Sequence, residues 1–386
     1  MEVQMFYRKF STLLVISLLF ILTSCHKDST TVPPNKPLYL RGMLVDWNER
    51  MKKQGSSALA ASPEETWFSL ADVKRMKEAG ANCIEMQLIG LPDLMPERNV
   101  PNEPFFTKWV DVWVDWCTQN QIYCILNING IDARADWALL LSMPSWLWEG
   151  NYATPSYTNK AACDTIIRDF FDLDIAKQDA NRAAFITLWK FIANRYKDNP
   201  YVIYSIMNEP FWEVDIPDET AAIHLGQSYS TFMEQVVDAI QSTGSKQMVF
   251  IDFPFLFDHN GHSTVKPVDR ENIVWEAHVY GNVWDPSNET FKGYLDNYVK
   301  LFIKEFKKPL FIGEYGFGQI LSIRENGNNW ESVLSGEVAY LDSQPIIGRQ
   351  FVSWSGMYGE HYQFFGESDL TAEESEWIMK TVLSDK

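Results

Sequence analysis

From residue 38 onward, short apolar runs alternate with amphipathic segments along the chain. The runs cover 38–44, 82–88, 122–128, 202–208, 247–252, 273–279, 309–314 and 350–354. Each is rich in Ile, Val, Leu and aromatic residues, as parallel strands buried on both faces should be. Helical spacing fills the intervals at 106–120, 179–196, 218–243, 290–306 and 371–383, with a further helix expected within 322–343. Ser62-Pro63-Glu64-Glu65 has the form of a capping box with Pro at the first helical position, and predicts a helix that ends near Gly80. Eight strand–helix units predict an α/β fold, a (β/α)8 barrel with long loops. An open doubly wound sheet is the alternative, but no G-x-G-x-x-G follows the first strand to mark a dinucleotide fold.

The first residues follow a different pattern. Arg8 and Lys9 precede an almost unbroken apolar stretch over 10–22, then Leu22-Thr23-Ser24-Cys25. A charged start and a short apolar core predict an export signal over 1–24, since the stretch is short for a membrane span. Leu-Thr-Ser-Cys resembles the lipobox of bacterial lipoproteins. That resemblance implies lipidation of Cys25 and an exported protein held on a membrane, on the periplasmic side or at the cell surface. Residues 25–37 contain Pro33-Pro34 and no apolar periodicity, and read as a tether for a domain over 38–386.

Composition narrows the function. Apolar residues make up 46% and charged residues 22% of the 386-residue chain, the balance of a globular domain. The net charge is -18, and nothing in the sequence suggests the basic face that a nucleic-acid binder needs. Of the cysteines, Cys83, Cys117, Cys124 and Cys163 form no C-x-x-C pair. They read as buried thiols, with one disulfide open and metal ligation disfavoured.

The strand ends carry the candidate chemistry. In a barrel the site lies at the C-terminal ends of the strands. Here those ends bear Glu85 and Gln87, Asn127 and Asn129, Asn208 and Glu209, Asp252, Glu276 and His278, Glu314, and Trp354. Charged groups beside apolar strands are costly unless paired or used. Glu209 and Glu314 would face each other from the fourth and seventh strands. Paired carboxyls suit glycoside hydrolysis, in which one assists the leaving oxygen and the other attacks the anomeric carbon. A separation of roughly 5–5.5 Å would mean a retaining route.

Asn208-Glu209-Pro210, His278-Val279-Tyr280, Gly313-Glu314-Tyr315-Gly316 and Ser353-Trp354 resemble, in order and spacing, the motifs of clan A glycoside hydrolases. They are closest to family 5, the cellulase and mannanase family. The resemblance implies a retaining β-glycosidase with Glu209 as general acid/base and Glu314 as nucleophile, acting on a β-linked glucan or mannan without a cofactor or metal. It further implies that Asn208 holds the sugar 2-hydroxyl, Tyr280 orients Glu314, His278 supports the acid/base, and Trp354 floors the sugar. Two positions depart from the pattern. Glu85 replaces the Arg that usually ends the second strand, and Asn129 stands where the third strand usually ends in His. Arg41 is a candidate substitute for the missing arginine, and Glu85 is read as its barrel partner or as a sugar ligand. These departures motivate a competing reading, a non-catalytic glycan-binding lipoprotein on the same scaffold. The intact carboxyl pair argues against it. A barrel esterase would need a G-x-S-x-G elbow, which is absent.

Among the tryptophans, Trp109, Trp113, Trp116 and Trp189 fall at apolar helical spacing and read as core. Trp212 and Trp284 closely follow the motif strands and read as sugar platforms. Trp137, Trp146 and Trp148 could serve either purpose. Asn129, at a loop mouth, is a candidate sugar ligand. The segment 130–174 shows little periodicity and reads as a loop walling the cleft. Asp258-His259-Asn260-Gly261-His262 reads as a solvated loop rather than a metal site.

Overall fold

Strands buried on both faces need a partner on each edge and a helix outside, and the chain meets this by closing its sheet. The computed structural model describes residues 38–45, 63, 66, 68–89, 91–129, 144–153, 155, 159–212, 214–281, 287–316, 327, 329–352 and 370–384. The strands are β1 (Leu40–Val45), β2 (Cys83–Ile89), β3 (Tyr123–Asn129), β4 (Val202–Ser205), β5 (Val249–Asp252), β6 (Ile273–His278), β7 (Leu310–Gly316) and β8 (Gly348–Val352). They form a closed parallel barrel in chain order, and Leu40 pairs with Gly348 across the seam. All eight predicted runs fall on these strands. β4 is shorter than its apolar run. Beyond Ser205 the chain still feeds both neighbours, with Ile206 N donating to Phe250 O and Asn208 N to Ile128 O, each at 3.1 Å.

The longer α-helices are α1 (Leu70–Glu78), α2 (Asp111–Gln119), α3 (Lys160–Phe171), α4 (Asp179–Tyr196), α5 (Glu219–Gln241), α6 (Glu289–Tyr298), α7 (Trp330–Ser343) and α8 (Ala372–Leu383), with π-helical turns leading into α2 (Phe106–Val110) and following α6 (Val299–Glu305). Three details differ from the sequence expectation. First, α1 starts at Leu70, and its cap is Ser69, whose amide and hydroxyl both donate to Asp72 Oδ2 at 2.8 and 2.7 Å. Upstream, the Thr66 hydroxyl lies 2.7 Å from both Pro63 O and Phe68 O, in a turn ahead of that cap. Ser62, Glu64 and Glu65 lie outside the described residues. Second, α3 lies in the segment read as a structureless wall, and it buries Ile166, Ile167, Phe170 and Phe171. Third, residues 253–272 connect β5 to β6 without a helix. There Leu256, Val265 and Val268 are buried in the main core.

The barrel interior is layered. Its floor is Leu40, Cys83, Ile125, Ile203, Phe250, Val274 and Phe311, a separate apolar cluster. Trp109, Trp113 and Trp189 are buried in the larger core outside the strands, and Trp116 packs against it. The four cysteines are buried free thiols. The expected signal, Cys25 and the tether lie outside the described residues. No described helix is long and apolar enough to cross a membrane.

Candidate active site

Above the apolar floor the inward positions turn polar. Strand alternation points Glu85, Asn127, Ser205, Glu276 and Gln350 into one layer. Asn127 Nδ2 donates to Ser205 Oγ at 3.0 Å, and Ser205 donates to Glu276 Oε2 at 2.6 Å. Opposite them, Gln350 Nε2 donates to Glu85 Oε2 at 2.7 Å and to Gly313 O at 3.0 Å. Gly313 is required here, since a Cβ on it would lie 2.0 Å from Glu276 Oε1. Burial drives the Glu276 carboxyl up to about 7, against the pull of His278 and the Ser205 hydrogen bond. Burial likewise pushes Glu85 well above the usual carboxylate range, helped by Glu276.

The next layer is the mouth. Glu209 follows β4, and His278 ends β6. Glu314 lies on β7, whose pairing with both neighbours shifts near that residue and sets Glu314 opposite His278. Strict alternation from the inward Phe311 would turn Glu314 outward. The irregularity re-aims it, a common use of a bulge beside a site. His278 Nδ1 lies 2.7 Å from Glu209 Oε1 and 3.6 Å from Glu314 Oε2. One oxygen of each glutamate lies within 4.8 Å of the other and of the imidazole. The Tyr280 hydroxyl donates to Glu314 Oε2 at 2.7 Å. Asn208 is buried, and its Oδ1 has no hydrogen-bond partner among the described residues.

The structure therefore brings Asn208, Glu209, His278, Tyr280 and Glu314 together. Trp212 is 39% exposed, with its ring edge-on to Phe255 at 5.3 Å. Trp284, Trp354, Trp137 and the side chain of Asn129 lie outside the described residues. Trp146 is buried, and its indole donates to Met95 O at 2.9 Å; Trp148 packs against the core. Arg41 does not replace the missing arginine. It is the second residue of β1, at the end of the barrel away from the mouth, with its guanidinium 5.8 Å from the Tyr39 ring centroid. Glu85 is hydrogen-bonded to Gln350 instead. His259 and His262 are exposed, His259 pairing with Glu219 and His262 with Asp258. At the surface Asp172, Asp174 and His224 also converge, with His224 Nε2 on Asp172 Oδ1 at 2.8 Å.

Sequence reasoning gave no role to Asp252. It ends β5 beneath the mouth, fully buried, and its Oδ2 accepts the Glu209 amide at 2.6 Å. A carboxylate closing an apolar strand was the signal for it. Nothing in the sequence marked Ser205 or Gln350.

An eight-stranded parallel barrel with two carboxyls facing across its C-terminal mouth has the layout that paired-carboxylate glycoside hydrolysis requires. The chain belongs to the cellulase family, glycosyl hydrolase family 5, which matches residues 51–355. Cellulase CelDZ1 of Thermoanaerobacterium sp is 22% identical over 248 residues, covering 60% of this chain. The chain spans 61% of that relative's length. Two solved structures share the fold. One is endo-glycoceramidase II from Rhodococcus sp., captured as a lactosyl-enzyme intermediate, with TM-score 0.63, 14% identity, and coverage of 82% of this chain and 73% of that one. The other is the cellulose synthase subunit Z of Clostridioides difficile, with TM-score 0.57, 15% identity, and coverage of 90% and 100%.

Proposed function

We propose that this chain is a retaining β-glycosidase acting on β-linked glucan or mannan chains. The observation that carries the reading is the approach of Glu209 and Glu314 to within 4.8 Å beside one imidazole. Inverting enzymes hold their carboxyls roughly 6.5–9.5 Å apart to seat a water, so the closer pair favours direct attack on the sugar. Glu314, with the Tyr280 hydroxyl on one oxygen, is the nucleophile that forms the glycosyl-enzyme. Glu209, hydrogen-bonded to His278, protonates the leaving oxygen and then deprotonates the incoming water. Asn208 Oδ1, buried and without a hydrogen-bond partner among the described residues, is the candidate acceptor for a sugar hydroxyl. Trp212, exposed three residues beyond Glu209, offers a ring face to a sugar. Family membership supports the same chemistry. The N-terminal pattern supports export and a lipid anchor at Cys25.

The test is hydrolysis of a panel of β-glucans, mannans, xylans and galactans by the protein and its Glu314→Gln variant. Product release that vanishes in the variant, with the anomeric configuration retained by NMR, is the expected result. Binding to a glycan without release would leave a glycan-binding barrel and overturn the enzymatic reading. Radiolabelled palmitate incorporated into the wild-type chain and lost in Cys25→Ser would establish the anchor.

A further inference from the structure

Asp252 sits where two supports of the acid/base meet. Its Oδ2 accepts the Glu209 amide at 2.6 Å and lies 3.6 Å from His278 Nε2. The other nitrogen of that ring, Nδ1, is 2.7 Å from Glu209 Oε1. The contacts close a ring that runs from the Glu209 main chain to Asp252, to His278, and back to the Glu209 carboxyl. The Asp252 and His278 side chains are 0% and 2% exposed, so water does not screen them.

Two features make this more than packing. Glu209 adopts φ +38°, in the left-handed region that non-glycine residues seldom enter. Such a conformation persists when its surroundings hold it, and the 2.6 Å hydrogen bond from its amide to Asp252 is one such hold. In addition, both nitrogens of the His278 ring face carboxyls; burial pushes the Asp252 carboxyl well above the ordinary range, and the facing His278 charge and the Glu209 amide pull it back towards the carboxylate. A neutral imidazole would turn a lone pair towards one of them, whereas an imidazolium presents a proton to each. At 3.6 Å the contact with Asp252 is one of charge, too long for a direct hydrogen bond.

We propose that Asp252 is a positioning residue for the acid/base, locking the Glu209 main chain and holding His278 as an imidazolium against the Glu209 carboxyl. The proposal rests on the glycosidase reading of Glu209. Facing His278 are Glu209 beyond β4, Asp252 on β5, Glu276 on its own strand and Glu314 on β7, with Glu85 contributing from β2. Burial opposes the ring's charge, but Asp252, Glu314 and Glu209 together hold its proton affinity well above that of an ordinary imidazole. Asp252 is itself anchored from α5, where the Tyr229 hydroxyl donates to its carbonyl at 2.6 Å.

The experiment has two arms. In the first, 15N-histidine NMR of the full-length wild-type protein, with His278 assigned through His278→Gln, should find both ring nitrogens protonated at neutral pH. A singly protonated His278 overturns the proposal, whether or not any glycan is cleaved. In the second, Asp252→Asn is compared with wild type on a glycan and on an aryl glycoside whose leaving group needs no proton. The expected result is a roughly tenfold or greater loss of kcat/KM on the glycan, little loss on the aryl glycoside, and an alkaline limb moved to higher pH. Equal losses on both substrates with an unmoved pH profile would make Asp252 a folding residue only. Should Asp252→Asn not fold, the first arm still decides. A wild-type protein that cleaves neither substrate fails the glycosidase reading instead, which the NMR arm does not depend on.

Discussion

At the scale of single residues, side-chain type marked the candidate positions and geometry assigned their partners. Asn208, Glu209, His278, Tyr280 and Glu314 were legible because polar residues ending apolar strands are costly without a purpose. What Glu85 does was not legible, because its partner Gln350 lies 265 residues away. The Tyr280 hydroxyl is the donor that Glu314 receives at 2.7 Å. A hydrogen bond to a charged group contributes about 2 kcal/mol, so Tyr280→Phe should lower kcat roughly 30-fold. Steady-state kinetics at the pH optimum would read this, and a variant as fast as wild type would remove Tyr280 from the mechanism. The thermal midpoint should change little, because the ring is retained.

At the scale of elements, strands were easier to read than the segments between them. A buried parallel strand is a continuous apolar run, and its signal is strong over a few residues. α3 was missed because its polar and apolar positions sit inside a segment rich in Trp, Tyr and Pro that resembles a loop. Its end is finished by a residue from another element. Arg182 on α4, with its side chain 5% exposed, donates to the carbonyls of Asp169, Phe170 and Asp172 at 2.9–3.1 Å and pairs with Asp179. The final carbonyls of a helix lack internal partners, so Arg182→Ala should strand several of them. The expected loss is roughly 3 kcal/mol, read by urea denaturation. A loss under about 1 kcal/mol would mean that water replaces the guanidinium without cost. The shift in β7 pairing beside Glu314 is the second unread feature, since no local pattern announces where a strand slips against its neighbours.

At the scale of the whole molecule, the barrel gathers Glu85, Glu209, Asp252, Glu276 and Glu314 around one imidazole, all buried. This arrangement links stability to pH. The folded Glu276 carboxyl titrates at about 7, against 4.5 as its ordinary value. A carboxyl raised by folding stabilises the protein fully below its unfolded value, and that contribution is lost as pH rises through the folded value. His278, also raised, contributes with the same sign. The net charge of -18 adds repulsion in the same direction as pH climbs. The thermal midpoint should therefore fall by several degrees between about pH 5 and about pH 8. In Glu276→Gln that slope should be visibly shallower. An unchanged slope would show that Glu276 is not the group that titrates.

A similar long-range arrangement lies beside the seam where the barrel closes. Arg349 on β8 is buried, with Nε on Asp342 Oδ1 of α7 at 2.9 Å and Nη1 on the Tyr315 hydroxyl at 3.1 Å, and it donates to Val382 O of α8. Asp342 also accepts from the Tyr39 hydroxyl at 2.8 Å, just ahead of β1. The first and last strands, already paired at the seam, are thus tied a second time through the Arg349–Asp342 ion pair.

By itself, the sequence determined the strands, their order, and the polar residues at their ends. Those follow from periodicity and residue type, which neighbouring positions carry. Tertiary structure decided which carboxyls share the imidazole, that Glu85 pairs with Gln350 rather than Arg41, and that Asp252 holds the Glu209 main chain. Those contacts join residues 43 to 265 positions apart. They exist because closing the sheet brings its strands' inward faces onto one axis, where burial fixes charge and partner together.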